Sequence, residues 1–241
     1  VIDRIMESGE LVIGTAGSMP PLNMTTKEGD VIGIEIDIAR AMADSMGATL
    51  KIETMPFHEL LRAVESGKVD MVLSAMTMTP VRNMQVAFVG PYFLSGKAFL
   101  TKKKTIASVT DATEIDSPDT ILTALKGSTS QYFVETILPK AKLITTNNYN
   151  EAVNLVLQDK VHALLADYPI CVISTFRYPD QGLVPVFAPI TFEPYGIALP
   201  GNDPLLVNWV ENFLGILEGS GQLEEIKLKW LKNMSWLKQL P

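Results

Sequence analysis

Hydrophobic and polar residues follow two different periods along the first part of the chain. Residues 11–14 form a short apolar run that is typical of a buried strand. Isoleucine or methionine then recurs at every fourth position from Ile34 to Met46, as on one face of a helix, and Gly47 stands where a helix would end. The pattern continues with a strand, a helix and a strand at residues 50–54, 60–64 and 69–73. This order predicts a largely parallel sheet flanked by helices.

A second series with the same alternation follows residue 102. Strands are predicted at residues 120–125, 143–144, 162–166 and 184–186. Helices are predicted at residues 129–138, 151–157 and 168–176. The C-terminal part adds a strand and two helices at residues 196–199, 205–217 and 223–231. Residues 102–119 are the most polar stretch and have the composition of a linker, so the chain is expected to form two α/β lobes.

Composition and charge exclude several classes of protein. The 241 residues are 47% hydrophobic, which is too apolar for a disordered chain. The formal net charge of −7 argues against nucleic acid as a partner. With only Cys171 and two histidines, the chain cannot build a zinc site of the usual composition, and we expect neither a metal nor a cofactor. No apolar run approaches the ~20 residues that span a bilayer, and no signal peptide is visible at Val1.

One polar stretch follows the predicted strand at residues 69–73. Hydroxyl groups at Ser74, Thr77 and Thr79 leave the carboxyl end of that strand, which is where open α/β sheets bind ligands. Arg82 follows closely, and its guanidinium suits bidentate capture of a carboxylate. A polar turn with a surface arginine would give the same pattern.

The second series carries a matching set of polar residues. Ser128 and Thr129 place hydroxyls and backbone N–H groups at a helix N-terminus, which is either a small anion site or an ordinary N-cap. Asp167 ends the strand at residues 162–166 and could hold an ammonium group or cap the following helix. Together with Arg82, this inventory fits a zwitterion, a carboxylate flanked by an ammonium.

Seven short motifs occur in a fixed order and spacing, each weak alone but specific together. They lie at residues 33–39, 66–70, 77–82, 90–92, 127–129, 166–167 and 193–198. On these motifs nearly the whole chain resembles the extracytoplasmic solute-binding proteins of the polar amino acid family, bacterial solute-binding protein family 3, which are receptors of ABC importers.

The resemblance implies a fold class and a division of the chain. The fold is α/β of the periplasmic-binding-protein type II, or Venus flytrap, with two lobes joined by two hinge strands. Lobe 1 would comprise residues 1–94 and 190–241, and residues 95–189 would form the hinge strands and lobe 2. The hinge strands would cross near residues 95–101 and 184–188, and ligand would close the lobes by hinge motion.

The resemblance also implies how the carboxylate end of a ligand is held. The arginine that matches Arg82 binds the α-carboxylate of the ligand in such receptors. Thr77 would assist it, together with the region of Ser128 and Thr129.

For the ammonium end, the resemblance implies a role for the aspartate that matches Asp167. Asp167 would hold the α-ammonium together with an oxygen near Ser74 or Ala75. The aromatic ring that lies over the ligand would be Phe57.

Departures from the family pattern point to the class of ligand. Met19 replaces an aromatic residue of the family, and Ala16 stands where receptors for basic amino acids carry an acidic residue. An unpaired cationic side chain would be costly to bury beside Ala16. With Met19, Met76 and Phe57 around it, the pocket is expected to be apolar and adaptable. We therefore expect an amino acid with an uncharged or hydrophobic side chain, or a related carboxylate.

The expected function is that of a periplasmic or otherwise extracytoplasmic receptor, a monomer that delivers its ligand to an ABC transporter permease. The absence of a leader would then reflect processing. A cyclohexadienyl or arogenate dehydratase is the first alternative, an offshoot of the same family. Its general acid is a glutamate just beyond the position of Asp167, where residues 168–171 carry no carboxylate here, although Glu193 could face the cleft. The second alternative is the extracytoplasmic sensor module of a receptor kinase.

Overall fold

Each of the two strand-and-helix series builds its own sheet in the computed structural model, which describes residues 1–186 and 190–241. The chain divides into unit 1, Val1–Leu94 with Pro194–Pro241, and unit 2, Ser95–Glu193. The sequence-based boundary lay at residue 190. Residues 190–193 belong instead to unit 2, because the Ile190 N–H donates to the Lys97 carbonyl (2.9 Å) and the Thr191 hydroxyl accepts from the Lys97 N–H (3.1 Å).

The elements of the described residues are numbered along the chain. The helices are α1 (Ile2–Ser8), α2 (Ile34–Met46), α3 (Leu60–Glu65), α4 (Pro80–Asn83), α5 (Lys104–Ala107), α6 (Thr129–Ile137), α7 (Tyr149–Leu157), α8 (Tyr168–Arg177), α9 (Pro204–Gly219) and α10 (Gln222–Lys232). The strands are β1 (Glu10–Thr15), β2 (Ser18–Met19), β3 (Asn23–Thr25), β4 (Val31–Ile32), β5 (Thr49–Thr54), β6 (Met71–Val72), β7 (Val86–Ser95), β8 (Lys97–Thr101), β9 (Ile121–Leu125), β10 (Lys142–Thr146), β11 (Ala163–Asp167), β12 (Val184–Val186) and β13 (Glu193–Pro200). Short 3₁₀ helices lie at Phe57–Glu59, Ala112–Ile115, Pro179–Gln181 and Met234–Gln239.

Unit 1 is built on a five-stranded sheet with the order β5-β1-β6-β13-β7. Strand β1 runs parallel to β5 and β6, as the sequence predicts, whereas β13 returns antiparallel to β6 with Ala198 opposite Val72. A small antiparallel sheet, β2-β3-β4, lies between β1 and α2 along the chain. Its strands are two or three residues long, too short to show a period in the sequence.

Helix α2 forms because its apolar residues recur with helical spacing. Ile34, Ile38 and Met42 are fully buried, and the helix ends at Gly47, whose left-handed conformation directs its N–H to carbonyls of the last turn. The same buried face includes Glu35, a carboxylate with no exposed surface. The helix therefore brings one ionisable group into the interior of unit 1.

Unit 2 has the strand order β10-β9-β11-β8-β12. The strands β10, β9 and β11 are parallel, and β8 runs antiparallel to β11. Its core includes Phe99, Leu122, Val134 and Leu165, which are almost completely buried. The register between β8 and β11 places Lys97 opposite Asp167 at one end of the sheet.

The prediction of a linker at residues 102–119 is wrong. This stretch forms α5 and the 3₁₀ helix Ala112–Ile115, and it is part of unit 2. Ile106 and Ile115 pack into the core cluster that contains Phe99. Two isolated apolar residues anchor a stretch whose average composition is polar, so composition alone could not reveal its fold.

Two further expectations concern the hinge segments and the membrane. Residues 95–101 span the end of β7 and the whole of β8. The second expected hinge, residues 184–188, coincides with β12 up to Val186, and Phe187 and Ala188 lie outside the described residues.

Within the described part of the chain, no helix combines the length and the apolar character that crossing a membrane requires.

Replacing Gly33 by alanine should destabilise unit 1 strongly. Gly33 precedes α2 with φ of 137° and ψ of 178°, a region open essentially to glycine, and an added Cβ would lie 2.2 Å from the Leu22 carbonyl oxygen. We expect Gly33→Ala to lower the free energy of unfolding by at least ~3 kcal/mol in urea titrations.

The matched control is Gly47→Ala, at the other end of the same helix. Gly47 has φ of +66°, but an added Cβ would meet nothing within 4 Å, so only the backbone conformation should cost about 1 kcal/mol. Equal losses of unfolding free energy in Gly33→Ala and Gly47→Ala would contradict the steric argument.

Candidate ligand-binding site

In unit 1, the polar stretch after β6 begins with a sharp turn at Ala75, where φ is +48°. The Ala75 N–H donates to the Glu35 Oε1 (2.6 Å), and the Ser74 hydroxyl accepts from the Ala16 N–H (2.9 Å). The Ser74 hydroxyl also lies 3.8 Å from the Met19 sulfur. The structure thus brings Ser74, Ala75 and Met19, three of the predicted site residues, close to one another.

Glu35 is the group that holds this turn, and it was not among the predicted site residues. Its carboxylate accepts from the Ala75 N–H, from the Tyr92 hydroxyl and from the Asn23 Nδ2 (2.5 Å for Asn23). Burial raises the pKa of Glu35 because desolvation of the charge outweighs these hydrogen bonds. Burial, with the nearby charge of Glu35, also raises the pKa of Tyr92 well above its ordinary value. The sequence signal that could have identified Glu35 was its position, as a carboxylate, on the apolar face of α2.

Arg82 lies in the four-residue helix α4, whose N-cap is Thr79. The Thr79 hydroxyl accepts from the Arg82 N–H (3.2 Å), which fixes the backbone of the helix. The Arg82 Nη1 donates to the Thr77 carbonyl oxygen (2.8 Å). The guanidinium carbon lies 5.5 Å from the centroid of the buried Phe57 ring. Arg82, Thr77 and Phe57 therefore form one group, in which Thr77 contributes its carbonyl.

Backbone pairing with β13 fixes the residues between the turn and the arginine. The Gly196 N–H donates to the Met76 carbonyl (3.1 Å), and the Met78 N–H donates to the Pro194 carbonyl (2.8 Å). Met76 is 1% exposed. Because these bonds tie the stretch to a strand of the same sheet, the turn and Arg82 are held in a defined arrangement.

In unit 2, the N-terminus of α6 uses most of its own polar groups. The Ser128 hydroxyl accepts from the Gln131 N–H (3.2 Å) and donates to the Leu125 carbonyl (2.6 Å), while the Gln131 side chain accepts from the Gly127 N–H (2.8 Å). Ser128 is thus an ordinary N-cap, one of the two predicted alternatives. Thr129 differs, because its hydroxyl donates to the Glu193 Oε2 (2.9 Å).

Asp167 holds an ammonium group, and that group belongs to Lys97. The Lys97 Nζ lies 2.6 Å from the Asp167 Oδ1, and the Tyr149 hydroxyl donates to the Asp167 Oδ2 (3.2 Å). The Asp167 side chain makes no capping hydrogen bond to α8, so the capping alternative is wrong. Burial and the charge of Asp167 raise the pKa of Tyr149 well above its ordinary value.

Glu193 is the second carboxylate near Lys97. Its Oε2 lies 3.5 Å from the Lys97 Nζ, and its Oε1 accepts from the Thr191 hydroxyl (2.8 Å). Lys97 is 1% exposed, and Asp167 and Glu193 are each 5% exposed. The sequence analysis did not identify Lys97, although a lysine at the start of a strand whose next three residues are apolar was a usable signal.

Among the described residues, no group of three or more histidine, cysteine, aspartate or glutamate side chains could hold a metal ion. The arrangement instead offers a fixed guanidinium in unit 1 and a buried, donor-rich cluster in unit 2.

Comparison with known proteins assigns the family. The sequence model of the bacterial extracellular solute-binding proteins, family 3, matches residues 11–233. The chain belongs to this family. This family-3 member is 26% identical over 231 residues to the cyclohexadienyl dehydratase of Pseudomonas aeruginosa, a match that covers 96% of this chain and 86% of that protein.

Solved structures agree with the expected type II periplasmic-binding-protein fold of this family-3 member. An ancestral amino acid-binding protein, a precursor of cyclohexadienyl dehydratase, superimposes with a TM-score of 0.88 at 32% identity, covering 95% of this chain and 98% of that one. A binding component of an ABC transporter from Wolinella succinogenes, complexed with lysine, has the same TM-score and identity and covers 95% and 99%. Amino acid transport is thus a property of the relatives, and one relative is an enzyme.

Replacing Glu35 by glutamine should change how stability depends on pH. The ordinary pKa of 4.5 describes the unfolded chain, and the folded value is higher. At a pH between these two pKa values, the folded state keeps a proton that the unfolded state has released. Stability therefore falls as the pH rises through this range. Thermal or urea unfolding should show wild-type stability falling, relative to Glu35→Gln, as the pH rises from about 4.5.

The glutamine variant is expected to fold because its amide can replace the hydrogen bonds. Its oxygen can accept from Ala75 and Tyr92, and its NH₂ can donate to the Asn23 Oδ1, which has no partner among the described residues. Glu65→Gln, an exposed change on α3, controls for the loss of one carboxylate. Parallel pH profiles for wild type and Glu35→Gln would refute the assigned shift.

Proposed function

We propose that this chain is the extracytoplasmic receptor of an ABC importer and captures a small organic carboxylate. The ligand is an amino acid with an uncharged or hydrophobic side chain, or a related carboxylate. The observation that carries the proposal is the fixed guanidinium of Arg82, held by the Thr77 carbonyl beside the Phe57 ring.

A guanidinium held in this way is suited to carboxylate recognition. Its planar fork presents five N–H donors, and a carboxylate can accept two of them in parallel. The hydrogen bond to Thr77 and the ring of Phe57 restrict the side chain before ligand arrives, so less conformational entropy is lost on binding. Arg82 is half-buried, so its charge is partly desolvated while still accessible.

The proposed class of side chain follows from the residues around the turn at Ala75. Met19 and Met76 are buried thioethers that adapt to apolar groups. Ala16, whose N–H is bonded to Ser74, offers no carboxylate where the resemblance places one in receptors for basic amino acids. A neutral side chain is therefore favoured over that of arginine or lysine.

Partner and location are proposed from the family. Receptors of this kind act outside the cytoplasm and present their ligand-bound form to a membrane permease. We propose the same for this chain, as a monomer.

Removing the Arg82 side chain should weaken ligand binding. Arg82→Ala is expected to cost at least ~2 kcal/mol, about 30-fold in Kd, because the ligand carboxylate would lose a charged partner. Isothermal titration calorimetry with a panel of amino acids and related carboxylates measures this loss.

The control is Arg62→Ala on α3 of the same unit, an exposed arginine whose loss should leave Kd unchanged. Full affinity in Arg82→Ala would refute the carboxylate assignment. Binding of arginine or glutamate alone would refute the proposed class of side chain.

Dehydration of prephenate or arogenate is the second candidate function. It is favoured by the 26% identity to a cyclohexadienyl dehydratase and by the buried carboxylate of Glu193 beside Lys97. Against it, Glu193 accepts hydrogen bonds from two threonine hydroxyls, whereas a general acid has to donate its proton to the leaving hydroxyl.

Incubation with prephenate separates the two functions. We expect no phenylpyruvate above the uncatalysed rate, as measured by ultraviolet absorbance or chromatography. Catalysed formation of phenylpyruvate that is lost in Glu193→Gln would establish the enzyme instead of the receptor.

A further inference from the structure

We propose that Lys97 takes the place of a ligand ammonium, so that the receptor selects 2-oxo or 2-hydroxy carboxylates over the corresponding amino acids. The inference rests on the proposed function, in which the ligand is a small organic carboxylate, and on the expectation from the family resemblance that Asp167 holds the α-ammonium of a ligand. The inference narrows the proposed ligands to acids that carry an acceptor oxygen on the carbon next to the carboxylate.

The position of the cluster in unit 2 supports a role in binding. Asp167 ends β11, and Lys97 begins the antiparallel β8, so both lie at the same end of the sheet. Thr129 begins α6 shortly after β9 ends at that edge. Ligands of α/β sheets bind outside the carboxyl ends of the parallel strands, which is where this cluster lies.

The hydrogen bonds of Asp167 are already made within the chain. One carboxylate oxygen lies 2.6 Å from the Lys97 Nζ, and the other accepts from the Tyr149 hydroxyl. A ligand ammonium could reach Asp167 only by displacing Lys97 or by lying beside it. Displacement would leave a buried lysine without its partner, and close approach would bring two positive charges together in a poorly solvated place.

The ammonium of Lys97 is a donor that suits an oxygen of the ligand. It carries three N–H groups. Among the described residues, the charged partners in reach are Asp167 at 2.6 Å and Glu193 at 3.5 Å. One donor is left for an acceptor such as a keto or hydroxyl oxygen. The Glu193 carboxylate meanwhile accepts from Thr129 and Thr191, so its charge is also stabilised by hydroxyl donors.

The decisive measurement compares ligands that differ only at the α-position. Calorimetry on the wild-type chain, refolded free of retained ligand, uses leucine, 4-methyl-2-oxopentanoate and 2-hydroxy-4-methylpentanoate, and phenylalanine with phenylpyruvate. We expect the oxo or hydroxy acid to bind at least tenfold more tightly than the amino acid with the same side chain. An amino acid that binds as tightly as its oxo acid, or more tightly, overturns the inference.

A variant tests whether Lys97 causes the preference. Lys97→Met keeps an unbranched side chain that is one atom shorter and removes the charge, which leaves Asp167 for a ligand ammonium. The preference is expected to reverse in favour of the amino acid, whereas the exposed change Lys142→Met should leave it unaltered. An unchanged preference in a folded Lys97→Met variant overturns the assigned role. Should this variant not fold, the wild-type comparison alone still decides the ligand class.

Failure of this inference and failure of the proposed function give different results. If amino acids bind more tightly and Arg82→Ala removes that binding, the receptor stands and the role of Lys97 is wrong. If wild type binds no carboxylate of the panel, or binds equally well in Arg82→Ala, the proposed function itself fails and the inference with it.

Discussion

A carboxylate that leaves water has to be met by donors, and this constraint shapes both units. In unit 1, Glu35 gathers the Ala75 N–H, the Tyr92 hydroxyl and the Asn23 amide, so one buried group joins α2 to the turn that follows β6. In unit 2, Asp167 gathers Lys97 and Tyr149, which joins β11 to β8 and α7. In each unit, a buried acid therefore ties neighbouring elements together at a polar end of the sheet.

The sequence predicted the regular elements well and the buried polar contacts poorly. Helix α2 and strand β5 follow from periodic burial, since each element has one apolar face. Arg82 and Asp167 were found because polar residues that follow a buried strand are unusual in themselves. The partner of Asp167 was not found, because Lys97 lies 70 positions away and only the antiparallel register of β8 and β11 brings the two together. Ile106 and Ile115 were missed for the same reason, since their contacts are distant in sequence.

The chain is similar to proteins with two kinds of chemistry that share one scaffold. An ancestral amino acid-binding protein and a dehydratase are both similar to it over nearly its whole length. Few changes are needed to alter the chemistry of such a site, because the sheets fix where side chains emerge and single residues decide what they meet. Lys97 illustrates this, since one lysine at the start of β8 already engages an oxygen of the buried Asp167 carboxylate.

The strand order of unit 1 has a consequence for biosynthesis. Strand β13 lies between β6 and β7, yet about a hundred residues separate it from β7 along the chain, and those residues form unit 2. A ribosome therefore delivers all of unit 2 before β13, an inner strand of the other sheet, exists. Unit 2 can complete its hydrogen bonding during translation, whereas unit 1 must wait with β6 and β7 unpaired along their inner edges. Until β13 is made, the unpaired edges of β6 and β7 are where a nascent chain of this topology is most exposed to mispairing and most in need of chaperones.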